Sequence, residues 1–526
     1  MEMPKSRTIG ALLDELAAEH GARAALVGDG QRYTYAQLRD RVRGIAKDLI
    51  AQGVRPGDSV GILMGNRPEW ILVCLATTVI GGVMVGINTW STARELEHLI
   101  GHSDTVLLLT EDRFLKYDYL ELLNALRPWP ERLPKLRRVV VHGAGSIEGG
   151  MPYSAFDGSG AHITDAELDA YAAQVTPESV GYLLYTSGST ALPKGVMLQH
   201  YGLIENMFGI GSRIGIRAGD RVWLAVSLFW GLGCENALFA TMTRAGCVVL
   251  QHSYETAEAV RLIEAERCNV IYATPNMMQA MTDHPDAATR DLSSIRTGAT
   301  YATPERMRQL IATFIPDLVQ IYGLTESYGN CVVGDCKDPV DIRATTIGRP
   351  LPKTEVRLHD PETGAILPLP ATGEVRIRGY VTCCYYKDPE RTAEAFDQDG
   401  FFLTGDLGTI DANGLFSFRG RLKEMLKTGG INVAPAEVEG VLLTHPGVDQ
   451  AYVVGLPDAA RGEIVAAVIV PHDPAPSVAE LEAHCREVLS TFKVPRRFVF
   501  VGWDKLPLTV TGKLQKNQLH RLFTTS

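Results

Sequence analysis

The sequence predicts an α/β protein with a large N-terminal body of α/β subdomains, an appended β subdomain and a small α+β C-terminal domain. Three observations carry this. The 526 residues exceed what one hydrophobic core usually supports, so two or more domains are expected. Helix-period apolar spacing alternates with short Val/Ile/Leu runs over most of the chain, the signature of parallel β-α units. After Gly348 the texture changes to short alternating strands, and after Arg421 to a compact mixed segment.

The elements follow in order. "YAQLRDRVRGIAKDLIAQG" from Tyr35 reads as a helix closed by Gly53, and "SVGILMG" from Ser59 as a buried strand. The longest apolar stretch, "ILVCLATTVIGGVMVGIN" from Ile71, is interrupted by Gly81-Gly82. It reads as a buried helix, a glycine turn and a buried strand rather than a membrane span. The alternation recurs at "CVVL" (Cys247–Leu250), "AVRLIEAERC", "VIYATP", "PERMRQLIATF" and "LVQIYG". Then "EVRLHDPETGAILPLPATGEVRIRG" and "GLFSFRGR", the latter behind the Asn413-Gly414 turn, read as short strands. The last segment predicts helices at "PAEVEGVLLTH" and "VAELEAHCREVL" and strands at "QAYVVGLP" and "EIVAAVIV". The expected domains are therefore 1–420 and 421–526.

Composition narrows the function. A 45% hydrophobic and 21% charged chain belongs with ordinary globular proteins. A net charge of -10 disfavours nucleic acid as a partner, since backbone phosphates need a basic face. Nine cysteines without a C-x-x-C pair fit a reducing compartment, and "MEMPKSRTIG" lacks the apolar core of a secretory signal, so a cytoplasmic location is expected.

Five segments could carry chemistry. In "YTSGSTALPKG" a strand ending at Tyr185 leads into Thr186, Ser187, Gly188, Ser189 and Thr190, with Lys194 supplying a point charge. Hydroxyls and close backbone approach suit phosphate and magnesium, although the spacing is not that of a Walker loop. "QIYGLTESYG" places an aromatic ring (Tyr322), bare backbone (Gly323), a hydroxyl (Thr325) and a carboxylate (Glu326) within five residues, enough to stack on a base and hold Mg2+. "FFLTGDLG" sets Asp406 behind a strand, suited to accepting bonds from ribose hydroxyls. "GRLKEMLKTGG" gathers Arg421, Lys423 and Lys427, either as ligands or as a solvated basic face. "LPLTVTGKLQKNQL" puts Lys513 after a Thr/Gly loop. No G-x-S-x-G, H-E-x-x-H or strand-borne G-x-G-x-x-G occurs, which removes the best support for hydrolase, zinc-protease and dinucleotide readings.

In this order and at these separations the five segments resemble the adenylate-forming enzymes: acyl-CoA synthetases, peptide-synthetase adenylation domains and beetle luciferases. The resemblance spans essentially the whole chain. It implies that Thr186, Ser187, Gly188, Ser189, Thr190 and Lys194 hold the β- and γ-phosphates of ATP. Gly298, Ala299 and Thr300 of "RTGATYATPE", with Tyr322 and Gly323, would contact adenine. Thr325 would touch the α-phosphate, Glu326 Mg2+, and Asp406 and Arg421 the ribose. Lys513 would bridge the substrate carboxylate and the α-phosphate. The small domain is implied to be mobile, swinging about a hinge at Lys423, so that Gly429 and Gly430 line a tunnel for CoA, with Lys427 on the same face as a catalytic aid to thiol transfer or an exposed structural lysine.

The implied activity is AMP-forming acyl-CoA ligation, with ATP, Mg2+ and CoA as cofactors. Amino-acid-activating relatives carry an aspartate in the segment matching "SLFWGLGCENAL". Here the corresponding residues are Phe229, Trp230 and Gly231, so an acid without an α-amine is expected, with Trp230 as a pocket wall or a core residue. No carrier domain follows Ser526, which points to free CoA or a separate carrier protein as acceptor; a monomer or homodimer is expected. Ala191 departs from the family's usual glycine. If that position needs positive φ, alanine costs about 1–2 kcal/mol. One alternative is therefore an enzyme that mainly thioesterifies a pre-made adenylate; a luciferase-like oxygenase and a non-enzymatic adenylate sensor are others.

Overall fold

The computed structural model describes residues 2–186, 193–428, 431–458, 461–489, 491–508 and 514–523, without the side chains of 427, 431 and 432. The chain divides into two compact units, Met1–Glu355 with Ile377–Phe402, and Val356–Arg376 with Leu403–Ser526. The short strands from Glu355 onward fall largely in the second unit.

Two large sheets organise the first unit. One has nine strands, and its centre runs Asp317–Tyr322, Thr297–Thr300, Val270–Tyr272, Arg221–Leu224, Cys247–Leu250 and Ala24–Gly28, each pair parallel. The other has eight, in which Val180–Thr186, Val83–Gly86, Ser59–Leu63, Thr105–Glu111 and Arg138–His142 are parallel and Lys194–Gln199 is antiparallel to Val180–Thr186. Helices cover these sheets, which is why the strands read as unbroken apolar runs.

The helix Tyr35–Ala51 starts on a capping box, Thr34 with Gln37, and buries Leu38, Val42, Ile45 and Leu49 at helical spacing. Gly53, at φ 86°, ends it as expected. Pro68–Val79 is buried at every residue and turns through Gly81, at φ 77°, into Val83–Gly86. Among the described residues no helix is long and apolar enough to cross a membrane.

In the second unit a four-stranded sheet, Glu355–His359, Ala371–Arg378, Phe402–Ile410 and Phe416–Arg421, precedes an α+β fold. Strand Gly462–Pro471 explains the run "EIVAAVIV". Val465, Ala467 and Ile469 pack under the helices Pro435–Leu443 and Val478–Val488, while Ala466, Val468 and Val470 meet Leu519 and Phe523 on the opposite face. Both faces are covered, so both alternate sets are apolar. Lys516 fastens the C-terminal segment by ion pairs to Glu439 at 2.9 Å and Glu424 at 3.4 Å.

Candidate active site

The first unit brings three charged or phenolic groups together where the sequence offers no local reason to expect them. Thr186 and Lys194 are cross-strand partners at the loop end of the hairpin Val180–Thr186/Lys194–Gln199. Lys194 Nζ lies 2.7 Å from a Glu326 carboxylate oxygen and donates to the Tyr385 hydroxyl at 2.8 Å, which in turn donates to Glu326 Oε1 at 2.9 Å. The ammonium also sits over the Tyr385 ring, 4.3 Å from its centroid. Burial, reinforced by the Glu326 charge, pushes the Tyr385 phenol well above its ordinary pKa, so it stays a proton donor.

Glu326 is held by its backbone. It lies in the single 3-10 turn Thr325–Ser327, closed by reciprocal bonds between Ser327 and Leu324. Its carbonyl accepts from Thr382 N–H at 2.6 Å, and Asn206 donates to the carbonyls of Tyr328 and Asn330. Gly323 makes this turn possible, because a Cβ there would fall 2.2 Å from the Gly329 carbonyl oxygen.

The predicted adenine segment is adjacent in the sheet. Gly298, Ala299 and Thr300 pair with Leu318, Val319 and Gln320, so Thr300 and Tyr322–Gly323 emerge at neighbouring carboxyl ends of parallel strands, the usual place for a ligand. Gly298 fits only without a side chain, since its Cβ would meet the Ile271 carbonyl oxygen at 2.3 Å. The hydroxyls of Thr186 and Thr300 are buried with no protein partner among the described residues, which suits polar ligand atoms.

Trp90, Phe229 and Trp230 form a mutual edge-to-face cluster with centroids 5.2–5.3 Å apart. Gly86 lets this segment approach: a Cβ there would stand 3.1 Å from the Phe229 carbonyl oxygen. Gly231 leads into a π-helical turn, Leu232–Ala237, whose Asn236 accepts from Tyr272 at 3.1 Å and also bonds Asn330.

In the second unit Asp406 and Arg421 are cross-strand partners joined at 2.9 Å, the carboxylate buried and the guanidinium half exposed. Lys423 is exposed in the 3-10 turn Leu422–Glu424, and the Lys427 backbone pairs with Asn432. Ser187, Gly188, Ser189, Thr190, Ala191, Gly429, Gly430 and Lys513 lie outside the described residues, as does the Lys427 side chain.

The family model described as AMP-binding enzyme matches residues 13–386, and that described as AMP-binding enzyme C-terminal domain matches 437–513. The chain belongs to the AMP-binding enzyme family. It is thus an adenylate-forming enzyme of the AMP-forming acid–thiol ligase class, as the motifs imply. The chain is 34% identical over 525 residues to a 3-[(3aS,4S,7aS)-7a-methyl-1,5-dioxo-octahydro-1H-inden-4-yl]propanoyl:CoA ligase of Mycobacterium tuberculosis, covering 98% of this chain and 99% of that protein. A mitochondrial medium-chain acyl-CoA ligase of Danio rerio is 33% identical over 543 residues, with 98% and 88% covered. Among solved structures, the anthranilate CoA ligase AuaEII in complex with anthranoyl-AMP superposes with a TM-score of 0.82 at 26% identity, covering 99% of this chain and 98% of that one.

Four residues of the candidate site escape motif reasoning. Tyr385 and Thr382 sit in "TCCYY", far from Glu326 in sequence, and only the strand pairing of Cys384–Tyr385 with Val196–Met197 brings them in. Trp90 reaches the Phe229–Trp230 pair from a separate loop. Glu235 had a readable signal, a lone carboxylate inside the apolar run "GLGCENALFA".

Proposed function

We propose that this enzyme activates a carboxylic acid without an α-amine as its acyl adenylate and transfers the acyl group to CoA. The observation that carries this is the Lys194–Tyr385–Glu326 cluster at the loop end of the hairpin. A buried carboxylate paired with a lysine and a phenol is a site whose own charges are matched until a ligand exchanges them. On ATP binding, Lys194 turns to the polyphosphate. Glu326, a hard oxygen donor, would hold Mg2+, which offsets phosphate charge when bound.

The acid's carboxylate oxygen attacks the α-phosphorus, the bond to pyrophosphate breaks, and a mixed anhydride forms. Charge grows on the α-phosphate oxygens, where Thr325 and Lys513 supply donors and a cation. In the second step the thiolate of CoA attacks the acyl carbon and AMP leaves. Asp406 and Arg421 bind the ribose, Gly298–Thr300 and Tyr322–Gly323 the base, and rotation of residues 421–526 about Lys423 exchanges Lys513 for the face bearing Lys427, Gly429 and Gly430. The aromatic cluster of Trp90, Phe229 and Trp230 is the wall of the acyl pocket, and it carries no carboxylate of its own to pair with an α-ammonium. Free CoA is the acceptor.

The test is acid-dependent exchange of pyrophosphate into ATP and thioester formation over a panel of carboxylic acids, beside chemically made acyl adenylates. Both activities should depend on the same acids. Thioester from adenylates with no exchange for any acid would instead favour the weakened adenylation half that Ala191 suggests.

A further inference from the structure

Glu235 is completely buried, and no donor among the described residues reaches either of its carboxyl oxygens. Its neighbour Asn236 is engaged by Tyr272 and Asn330 and itself bonds the Gly231 carbonyl at 3.3 Å, so the contrast lies within one turn. That turn is π-helical, a geometry found frequently at functional sites. The Glu235 side chain points back along the helix, and a Cβ on Gly231 would meet its Oε2 at 2.4 Å and Thr325 Oγ1 at 3.7 Å. The carboxyl thus lies between the segment of the aromatic acyl wall and the turn that carries Glu326. Among the described residues no Lys, Arg or His is paired with it. Burial, and behind it the Glu326 charge, pushes its pKa well above the carboxylate range, which leaves a protonated carboxyl with one donor and one acceptor to offer.

We propose that Glu235 is a specificity residue that hydrogen-bonds a keto or hydroxyl oxygen on the acyl group, so that the enzyme selects an oxygenated acid over the hydrocarbon acid of the same skeleton. This rests on the acyl-CoA ligase reading. An unpaired buried polar group is costly when a ligand cannot match it, and sites built around such groups discriminate strongly against analogues that lack the partner. Aliphatic packing alone separates acids that differ by a methylene only weakly, so this carboxyl is the strongest discriminator the acyl wall has to offer.

The experiment measures kcat/KM for CoA thioester formation by the full-length enzyme, Glu235→Gln and Glu235→Met. The acids are octanoic, phenylpropanoic and cyclohexylpropanoic acid, each beside its positional series of mono-oxo, monohydroxy and monoamino derivatives. The wild type should favour at least one oxo or hydroxy acid over its parent by about tenfold or more. Glu235→Met should reverse that preference through the KM for acid, with the KM for ATP unchanged, and Glu235→Gln, which keeps a donor and an acceptor, should retain most of it. An unchanged ratio in Glu235→Met, or an equal fall for every acid, would overturn the proposal. So would a preference for an amino derivative that Glu235→Met abolishes, since that assigns Glu235 to an ammonium. No thioester with the wild type from any acid, nor from its chemically made adenylate, would overturn the ligase reading itself, and this inference with it.

Discussion

Tyr385→Phe removes one oxygen atom from the centre of the charged cluster. That hydroxyl accepts from Lys194 at 2.8 Å and donates to Glu326 at 2.9 Å, while the direct Lys194–Glu326 contact of 2.7 Å survives the substitution. Two charge-assisted bonds are lost and the surviving pair offsets part of that loss, so the net cost is about 1.5–3 kcal/mol. At about 1.4 kcal/mol per factor of ten, this is a fall of about 10- to 100-fold in the step that uses the aligned pair. We place that step in adenylation alone. Pyrophosphate exchange should fall by that factor, while thioester formation from a chemically made acyl adenylate should change by less than about threefold. Equal losses in both halves, or unchanged exchange, would refute the role given to Tyr385.

Further outcomes follow from other residues. Glu326→Gln should depress exchange by about 100-fold or more and raise the Mg2+ concentration needed for half-maximal rate, because a hard anionic ligand is lost; a magnesium titration superimposable on wild type would contradict this. Gly323→Ala forces a methyl against the Gly329 carbonyl at 2.2 Å and should lower stability by about 1–3 kcal/mol, read as a drop in the denaturation midpoint. Asp406→Asn should raise the KM for ATP with little change in the KM for acid. Its stability cost should be about 1 kcal/mol, since the partner Arg421 is half exposed and regains water. His200, whose Nδ1 accepts from Ile9 N–H at 3.1 Å, has its pKa lowered by burial from 6.5 to about 4. The native state resists its protonation, so stability present above pH 6.5 should be lost as pH falls toward 4, by about 3 kcal/mol. His200→Asn should flatten that limb of the stability curve.

The legible parts of this protein are those with local causes. Apolar periodicity gave away the helices Tyr35–Ala51 and Pro304–Thr313 and the parallel strands between them, and glycines at 53 and 81 marked real turns. The Tyr322–Glu326 segment was readable because strand, bare backbone and carboxylate are contiguous. Tyr385 was not, because its meeting with Glu326 is made by pairing of Cys384–Tyr385 with the hairpin, a contact with no trace in local composition. Trp90 was missed for the same reason. Glu235 was visible as a charge in an apolar run, but only its complete burial without a partner gives it meaning.

The most direct test of the central claim follows an oxygen atom. Attack of the acid's carboxylate on the α-phosphorus, then of the thiol on the acyl carbon, leaves one carboxylate oxygen on AMP. With the acid labelled by oxygen-18 in its carboxylate, mass spectrometry of the released AMP should find one labelled oxygen per thioester formed. Unlabelled AMP, or label recovered in inorganic phosphate, would contradict the adenylate route.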